Sequence, residues 1–458
     1  MPFSPTMLSD TGARATPRSR LLRHPAQTVV AAFAVGNTIG TLLLMLPMAR
    51  TGDGGAPFVT ALFTSTSAVC VTGLVTVDTA TYWTGFGQAV ILGLIQVGGF
   101  GFMTMTTLLV LFIGRRLGLR SRIAAAAETK SGVGDVRTVL VGVFRITVIV
   151  EAVVALALTL RFWLGHGFGF LESLRLGGFH AVSAFNNAGF ALFSDSLMSY
   201  LTDPWIQLPI VVAIVIGGLG FPVLLELLRR RARRHWSLHT QLTLFMTTIL
   251  LVGGTVFMTL SEWGNDATIG TLNPAQKLLA GFVHAVQPRT AGFNAWDYGQ
   301  ATDETLLGTI MLMFVGGGSA GTAGGLKVTT FVVLFFVIVA EVRGEHDVVA
   351  FGRRIGDRTV RQAITVALLG VAAVVGSTML LTQLTGLPFR DVLFETTSAF
   401  STVGLSTGIT AQVPESGQFV LAALMFLGRL GPVTLVSALA LRKRGRRYTY
   451  PEGWPLIG

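Results

Sequence analysis

Charged side chains are scarce in this chain. Asp, Glu, Lys and Arg make up 12% of its 458 residues, where a soluble domain carries roughly 25%, so an ordinary solvated surface cannot be covered. Cysteine is nearly absent: the single Cys70 excludes an internal disulfide framework and a cysteine-based metal cluster. No Walker-type G-x-x-x-x-G-K-[ST] run occurs, which leaves intrinsic ATPase activity unsupported. No nucleophile is convincingly paired with a base, and no ladder of carboxylates or histidines crosses an apolar span as a proton relay requires. The chain does not read as an enzyme. A soluble protein of this length would hold about three domains, yet no polar or low-complexity linker interrupts the sequence.

What is present is apolar: 51% of residues are hydrophobic. Runs near the length that crosses a bilayer, about 20 residues, are Val29 to Met48, Val90 to Ile113, Val139 to Leu164, Ile206 to Leu228, Leu242 to Leu260, Leu306 to Val342, Ala363 to Leu384 and Phe419 to Leu441. The first follows Arg14, Arg18, Arg20 and Arg23, but it is longer than a cleaved signal's apolar region. It reads as a retained helix.

Between the two spans of each successive pair lies one repeated frame: a Phe, nine residues, a Gly, then Leu or Phe. The copies are Phe63-TSTSAVCVT-Gly73-Leu74, Phe179-HAVSAFNNA-Gly189-Phe190, Phe282-VHAVQPRTA-Gly292-Phe293 and Phe394-ETTSAFSTV-Gly404-Leu405. They align without a gap, their glycines 116, 103 and 112 residues apart. The expected fold is therefore all-α and membrane-embedded, with eight transmembrane helices in four helix, pore loop, helix units arranged pseudo-fourfold about one pore. The units are read as residues 27–120, 121–234, 235–350 and 351–444, between an N-terminal segment 1–26 and a tail 445–458.

Basic residues set the expected orientation. Most of the 34 Lys and Arg lie in the N-terminal segment, in the connections after each unit (Arg115 to Arg137, Arg229 to Arg234, Arg343 to Arg361) and in the tail from Arg442. The segments that carry the repeated frames hold mostly acids, among them Asp78, Asp195, Asp203, Asp391 and Glu395. Both termini are thus expected to be cytoplasmic and the loops to enter from outside. The net charge of +11 then reflects topology, not nucleic-acid binding.

Within each frame a short pore helix is expected, at Pro57 to Ser67, Leu171 to Ala184, Pro274 to Val286 and Phe389 to Ala399. Its C-terminal dipole favours a cation. Then come Val69-Cys70-Val71-Thr72-Gly73, Phe185-Asn186-Asn187-Ala188-Gly189, Pro288-Arg289-Thr290-Ala291-Gly292 and Phe400-Ser401-Thr402-Val403-Gly404. None contains a carboxylate, so backbone carbonyls, not acidic side chains, are expected to replace an ion's hydration shell. The closing glycine permits positive φ and close backbone approach.

The sixth run is too long for one crossing. It is broken by Gly316, Gly317, Gly318, Gly321, Gly324 and Gly325 around Ser319, and each glycine costs a helix about 1 kcal/mol relative to Ala. Irregular backbone at membrane depth must be buried in protein or line water, so this stretch is expected to face the cavity below the loops. Its literal G-x-G-x-x-G lacks the strand context of a nucleotide fingerprint. Lys327 and Arg429 are cations within apolar runs. Arg429 reads either as a repulsive charge at a gate or as half of a structural ion pair, and Lys327 as gate-associated or snorkelling. Arg145 and Glu151 read as interhelical or helix-end partners, and His180 and His284 as packing residues.

These residues resemble the Trk/Ktr/HKT superfamily of potassium translocating subunits. The most specific stretches are Ser67 to Val75 (SAVCVTGLV), Arg289 to Asn294 (RTAGFN), Gly316 to Lys327 (GGGSAGTAGGLK) and Gly428 to Pro432 (GRLGP). With the first unit beginning at residue 27, the chain looks like the KtrB type. The resemblance implies one filter glycine per unit, at Gly73, Gly189, Gly292 and Gly404, and potassium preference, since a Ser at the first position goes with sodium permeation in plant members. It also implies an intramembrane gating loop at 316–327 and an Arg beneath the filter at Arg429. A homodimer on a ring of nucleotide-binding RCK subunits (KtrA-like) would be expected. K+ is the implied cargo, with possible Na+ dependence and no organic cofactor. A sodium- or proton-coupled symporter and, more distantly, a carrier with inverted repeats remain alternatives.

Overall fold

The computed structural model describes residues 25–116, 136–229 and 236–431. The segments 1–24, 117–135, 230–235 and 432–458 lie outside the described residues, and with them most of the first and second basic connections, the end of the eighth apolar run and the tail.

Each unit begins with an unbroken helix. These are α1 (Pro25–Leu44), α4 (Val136–Gly165), α8 (Leu238–Ser261) and α12 (Asp357–Thr385). All four are long and apolar enough to cross a membrane. A short helix follows in each unit, α2 (Phe58–Val69), α5 (Phe170–Phe185), α9 (Pro274–Val286) and α13 (Phe389–Ser401). These match the expected pore helices to within two residues. The third starts at a capping box in which Asn273 accepts from Gln276 N at 2.9 Å, with Pro274 at the first helical position.

The second spans are less regular. In the first unit α3 runs Gly85–Arg116. In the second, the expected single span from Ile206 to Leu228 is instead two helices, α6 (Pro204–Leu219) and α7 (Phe221–Arg229), bent by 98°. Gly220 between them has φ +91°. In the third, α10 (Asp303–Phe314) and α11 (Val328–Val342) are separated by the expected glycine-rich interruption. In the fourth, α14 (Glu415–Leu430) stops at Gly431, φ +81°.

A small antiparallel hairpin between the third and fourth units was not anticipated: β1 (Val349–Ala350) pairs with β2 (Arg353–Arg354), Val349 opposite Arg354. Phe351 and Gly352, both at positive φ, form its two-residue turn. The frame's anchors are in the core. Phe63, Phe179 and Phe394 are buried, and so are all four residues after the glycines, Leu74, Phe190, Phe293 and Leu405.

Candidate functional site: a ring of four glycines over a glycine-rich loop

The four frame glycines meet in a closed ring. A Cβ built on Gly73 would lie 2.5 Å from Ala188 O, on Gly189 2.9 Å from Ala291 O, on Gly292 2.1 Å from Val403 O, and on Gly404 2.2 Å from Thr72 O. Each glycine is therefore pressed against the carbonyl of the residue that precedes the next unit's glycine, and the fourth returns to the first. All four are at positive φ, between +69° and +95°. No L side chain fits either requirement.

Two residues before each glycine the backbone is left-handed as well: Val71 at φ +56°, Asn187 at +58°, Thr290 at +69° and Thr402 at +52°. Asn tolerates this region. For β-branched Val and Thr it is an outlier, and such strain, about 1–3 kcal/mol per residue, persists only where the surroundings enforce it.

Local hydrogen bonds explain why three loops adopt the same path. Val71, Asn187 and Thr402 N donate to Ala68, Ala184 and Ala399 O, each at 3.1 Å, and the next residue donates to Ser67, Ser183 or Ser398 O at 2.8–2.9 Å. Gly73 N and Gly404 N donate to the Ser67 and Ser398 hydroxyls, both 3.0 Å. The third loop has Pro288 where the others have Val69, Phe185 and Phe400. Without an N–H, Pro288 cannot continue the helix pattern, and Gln287 substitutes: its carbonyl accepts from Ala291 N at 3.0 Å and its Oε1 from Phe293 N at 3.0 Å.

On one side of the ring is a cavity of about 260 Å³ lined by all four glycines and by Asp78, Asp195, Ser406 and Thr410. On the other side is the interruption of the third unit, residues 315–327, which is packed, not slack. A Cβ on Gly324 would fall 1.9 Å from Thr402 Oγ1, and one on Gly325 3.1 Å from Ser401 Cα. Gly318 N and Thr322 N donate to Gly218 O (2.7 Å) and Gly217 O (3.2 Å), the carbonyls at the bend of the second unit, and Phe221 N donates back to Ala320 O. Two discontinuities thus satisfy each other's backbone.

Arg429 is fully buried and joins three units. Its Nη1 donates to Thr322 O of the interruption and its Nη2 to Gly98 O of α3 at 3.1 Å. Lys327 turns back on its own loop, donating from Nζ to Ala323 O. Glu151 meets two other elements: its carboxylate accepts from Asn186 Nδ2 (3.1 Å) and Gln96 Nε2 (3.3 Å). His180 Nδ1 lies 2.8 Å from Leu176 O and its Nε2 accepts from Leu192 N; His284 Nδ1 is 2.9 Å from the Tyr298 hydroxyl, with its ring stacked on Trp296. Both histidines are held as packing residues.

Two features escaped the sequence reading. Gly98, Gly217 and Gly428 on the second spans lie so close to their own loops that a Cβ would come within 2.0 Å, 2.0 Å and 1.7 Å of Val69, Phe185 and Phe400 O. The signal was a second repeat, G-x-[FL]-G, at Gly98 to Gly101, Gly217 to Gly220 and Gly428 to Gly431, in which Arg429 occupies a place held by glycine elsewhere. The other is the side chain of Arg289, buried against α8 with Nη2 donating to Thr247 Oγ1 at 3.2 Å.

Comparison with known proteins agrees with this architecture. The Cation transport protein family, TrkH, matches residues 6–444. The chain is 40% identical to the Ktr system potassium uptake protein B of Bacillus subtilis over 95% of its own length and 97% of that protein's. It is 34% identical to the potassium/sodium uptake protein NtpJ of Enterococcus hirae over 96% and 99% respectively. Its fold superposes on the crystal structure of the potassium transporter TrkH from Vibrio parahaemolyticus with a TM-score of 0.71 at 18% identity, covering 94% of this chain and 87% of that one. The chain belongs to the TrkH family of cation transport proteins.

Proposed function

We propose that this chain is the ion-conducting subunit of a Ktr/Trk-type potassium uptake system, and that K+ crosses through the ring of four glycines. The observation that carries this reading is the closed cycle in which each glycine abuts the carbonyl before the next. Four loops about one axis supply the oxygens that replace hydration water. The filter comprises Val69 to Gly73, Asn186 to Gly189, Arg289 to Gly292 and Ser401 to Gly404. The gate comprises Gly316, Gly317, Gly318, Ser319, Gly321, Gly324, Gly325 and Lys327 with Arg429, since the loop packs beneath Ser401 and Thr402 and is tied down by the guanidinium.

The four repeats occupy residues 27–120, 121–234, 235–350 and 351–444, in a cytoplasmic membrane with both termini inside. The acids at the cavity over the ring, Asp78 and Asp195, suit an external mouth that gathers cations. The word "system" in the Bacillus relative's name supports further subunits, here a homodimer on a nucleotide-binding RCK ring. A sodium-linked mechanism draws on the Enterococcus relative's name, and the reversal potential under a sodium gradient separates it from simple conduction. Vesicles holding the purified chain should accumulate radioactive rubidium above empty vesicles, and Gly73→Ser should admit sodium. Uptake equal to that of empty vesicles overturns the reading.

A further inference from the structure

The residue two before the ring glycine differs among the four loops in what its side chain does. It is apolar at Val71, and the hydroxyls of Thr290 and Thr402 have no hydrogen-bond partner among the described residues. Asn187 is different. Its Oδ1 accepts from Thr322 Oγ1 at 3.0 Å, and its Nδ2 donates to Arg289 O, in the third loop, at 3.3 Å. The Arg289 carbonyl fixes the amide orientation, because only the nitrogen can donate to a carbonyl, and the Thr322 hydroxyl then donates to the oxygen. The side chain is 1% exposed, enclosed by the bend of the second unit: a Cβ on Gly217 would lie 3.1 Å from Asn187 Oδ1, and one on Gly218 3.4 Å from its Nδ2.

Thr322 is itself a junction. Its N donates to Gly217 O at 3.2 Å and its carbonyl accepts from Arg429 Nη1. A continuous line of hydrogen bonds therefore runs from Arg429 through Thr322 and the Asn187 amide to Arg289 O, which lies three residues before the ring glycine Gly292.

We infer that Asn187 is a specificity-determining residue that couples the intramembrane loop to the ring, so that ion discrimination depends on where the loop sits. This rests on the filter and gate reading given above. The physical reason is that one small amide serves both. When the loop leaves its seat, Thr322 Oγ1 departs from Oδ1. The amide is then held by a single bond to Arg289 O, free to rotate about its side-chain torsions, and the spacing between the second and third loops is no longer fixed from below. The discrimination of ions with different radii relies on that spacing.

The test is a double-mutant cycle on the full chain in vesicles, reading the rubidium to sodium permeability ratio. Thr322→Val keeps the shape and removes the hydroxyl; Thr322→Ser keeps the hydroxyl. Thr322→Val and Asn187→Ala should each lower the ratio about threefold or more, Thr322→Ser should leave it within experimental error of the parent, and the double variant should be no worse than the more severe single change, as for groups acting through one contact. A parental ratio in Thr322→Val, an equal loss in Thr322→Ser, or multiplicative losses in the double variant overturns the coupling. Should Asn187→Ala fail to fold, the Thr322 pair alone decides. Gly189→Ser is measured alongside. If it lowers the ratio while Thr322→Val does not, the filter reading stands and the coupling falls. If neither changes it, the coupling falls, and the filter reading falls with it when the Ser variants of the other three ring glycines are unchanged as well.

Discussion

The first and second spans of a unit share a composition and a membrane but not a backbone. The first spans α1, α4, α8 and α12 are unbroken helices, whereas those of the second spans are bent by 98° at Gly220, opened between Phe314 and Val328, and ended at Gly431. By contrast, α3 continues through Gly98, Gly99 and Gly101. The difference is one of surroundings. Within hydrocarbon an opened backbone is tolerated only where protein or water receives its polar groups, and two of the second spans do this for each other: Gly217 and Gly218 O accept from the third unit's interruption, and Phe221 N donates back to Ala320 O. The first spans carry exposed apolar side chains, among them Leu42, Val153, Val252 and Leu368, and in an apolar surrounding a helix keeps its backbone hydrogen bonds within itself.

Glycine substitution should break the comparison most sharply. In the second spans Gly217→Ala and Gly428→Ala drive a Cβ into Phe185 O and Phe400 O. Overpacking against backbone, which cannot rotate away, is expected to cost about 3 kcal/mol or more, seen as loss of rubidium uptake and a lower melting temperature in detergent. In the first spans Gly36, Gly253 and Gly376 have nothing among the described residues within 4 Å of an added Cβ. Alanine there should be neutral or stabilise by about 0.5–1 kcal/mol. A Gly217→Ala protein as stable and active as Gly376→Ala would remove the distinction.

At the ring itself, Gly73→Ser should lower the potassium to sodium permeability ratio about tenfold, since the new side chain meets Ala188 O at a backbone with φ +94°. An unchanged ratio in the Ser variants of all four glycines would sink the filter assignment. Below the ring, Arg429→Ala should raise flux severalfold. A guanidinium about 5 Å from a passing monovalent cation repels it by about 3 kcal/mol at an effective dielectric of 20, and its bonds to Thr322 O and Gly98 O hold the loop in place. Folded protein with unaltered or lower flux would make the residue a structural tie.

The loops were legible because the frame repeats without gaps and because a closing glycine has one physical reading, positive φ with close approach. The interruption at 316–327 was legible for the same reason, its glycines being too dense for a helix. The bend at Gly220 was not, since Leu219, Phe221, Val223 and Leu224 continue the hydropathy, and hydropathy measures transfer, not backbone direction. Which carbonyl Arg429 binds, and that Arg289 buries its side chain against Thr247, depended on the meeting of units far apart in sequence, about which local pattern is silent.

The smallest effect concerns the place where a first span is tied to a second. Asp203 caps α6, accepting from Trp205 N at 3.0 Å, and its other oxygen accepts from Arg161 Nε (2.8 Å) at the end of α4 and lies 2.9 Å from His166 Nε2. Burial opposes the carboxylate's charge, but the bonds from His166, Arg161 and Trp205 outweigh it and hold the carboxyl below its ordinary value. A carboxyl depressed in the folded state contributes stability that is complete above its unfolded pKa of about 3.9 and is lost as pH falls through the lower folded value. Arg161 is about a third exposed, so water screens the pair, and the contribution should be about 1 kcal/mol or less. Asp203→Asn, which keeps an acceptor for the cap, should therefore melt slightly below the parent at pH 7, and the gap should narrow at pH 3, which is below the unfolded value. An equal gap at both values would assign the loss to the cap and leave the charge without a role.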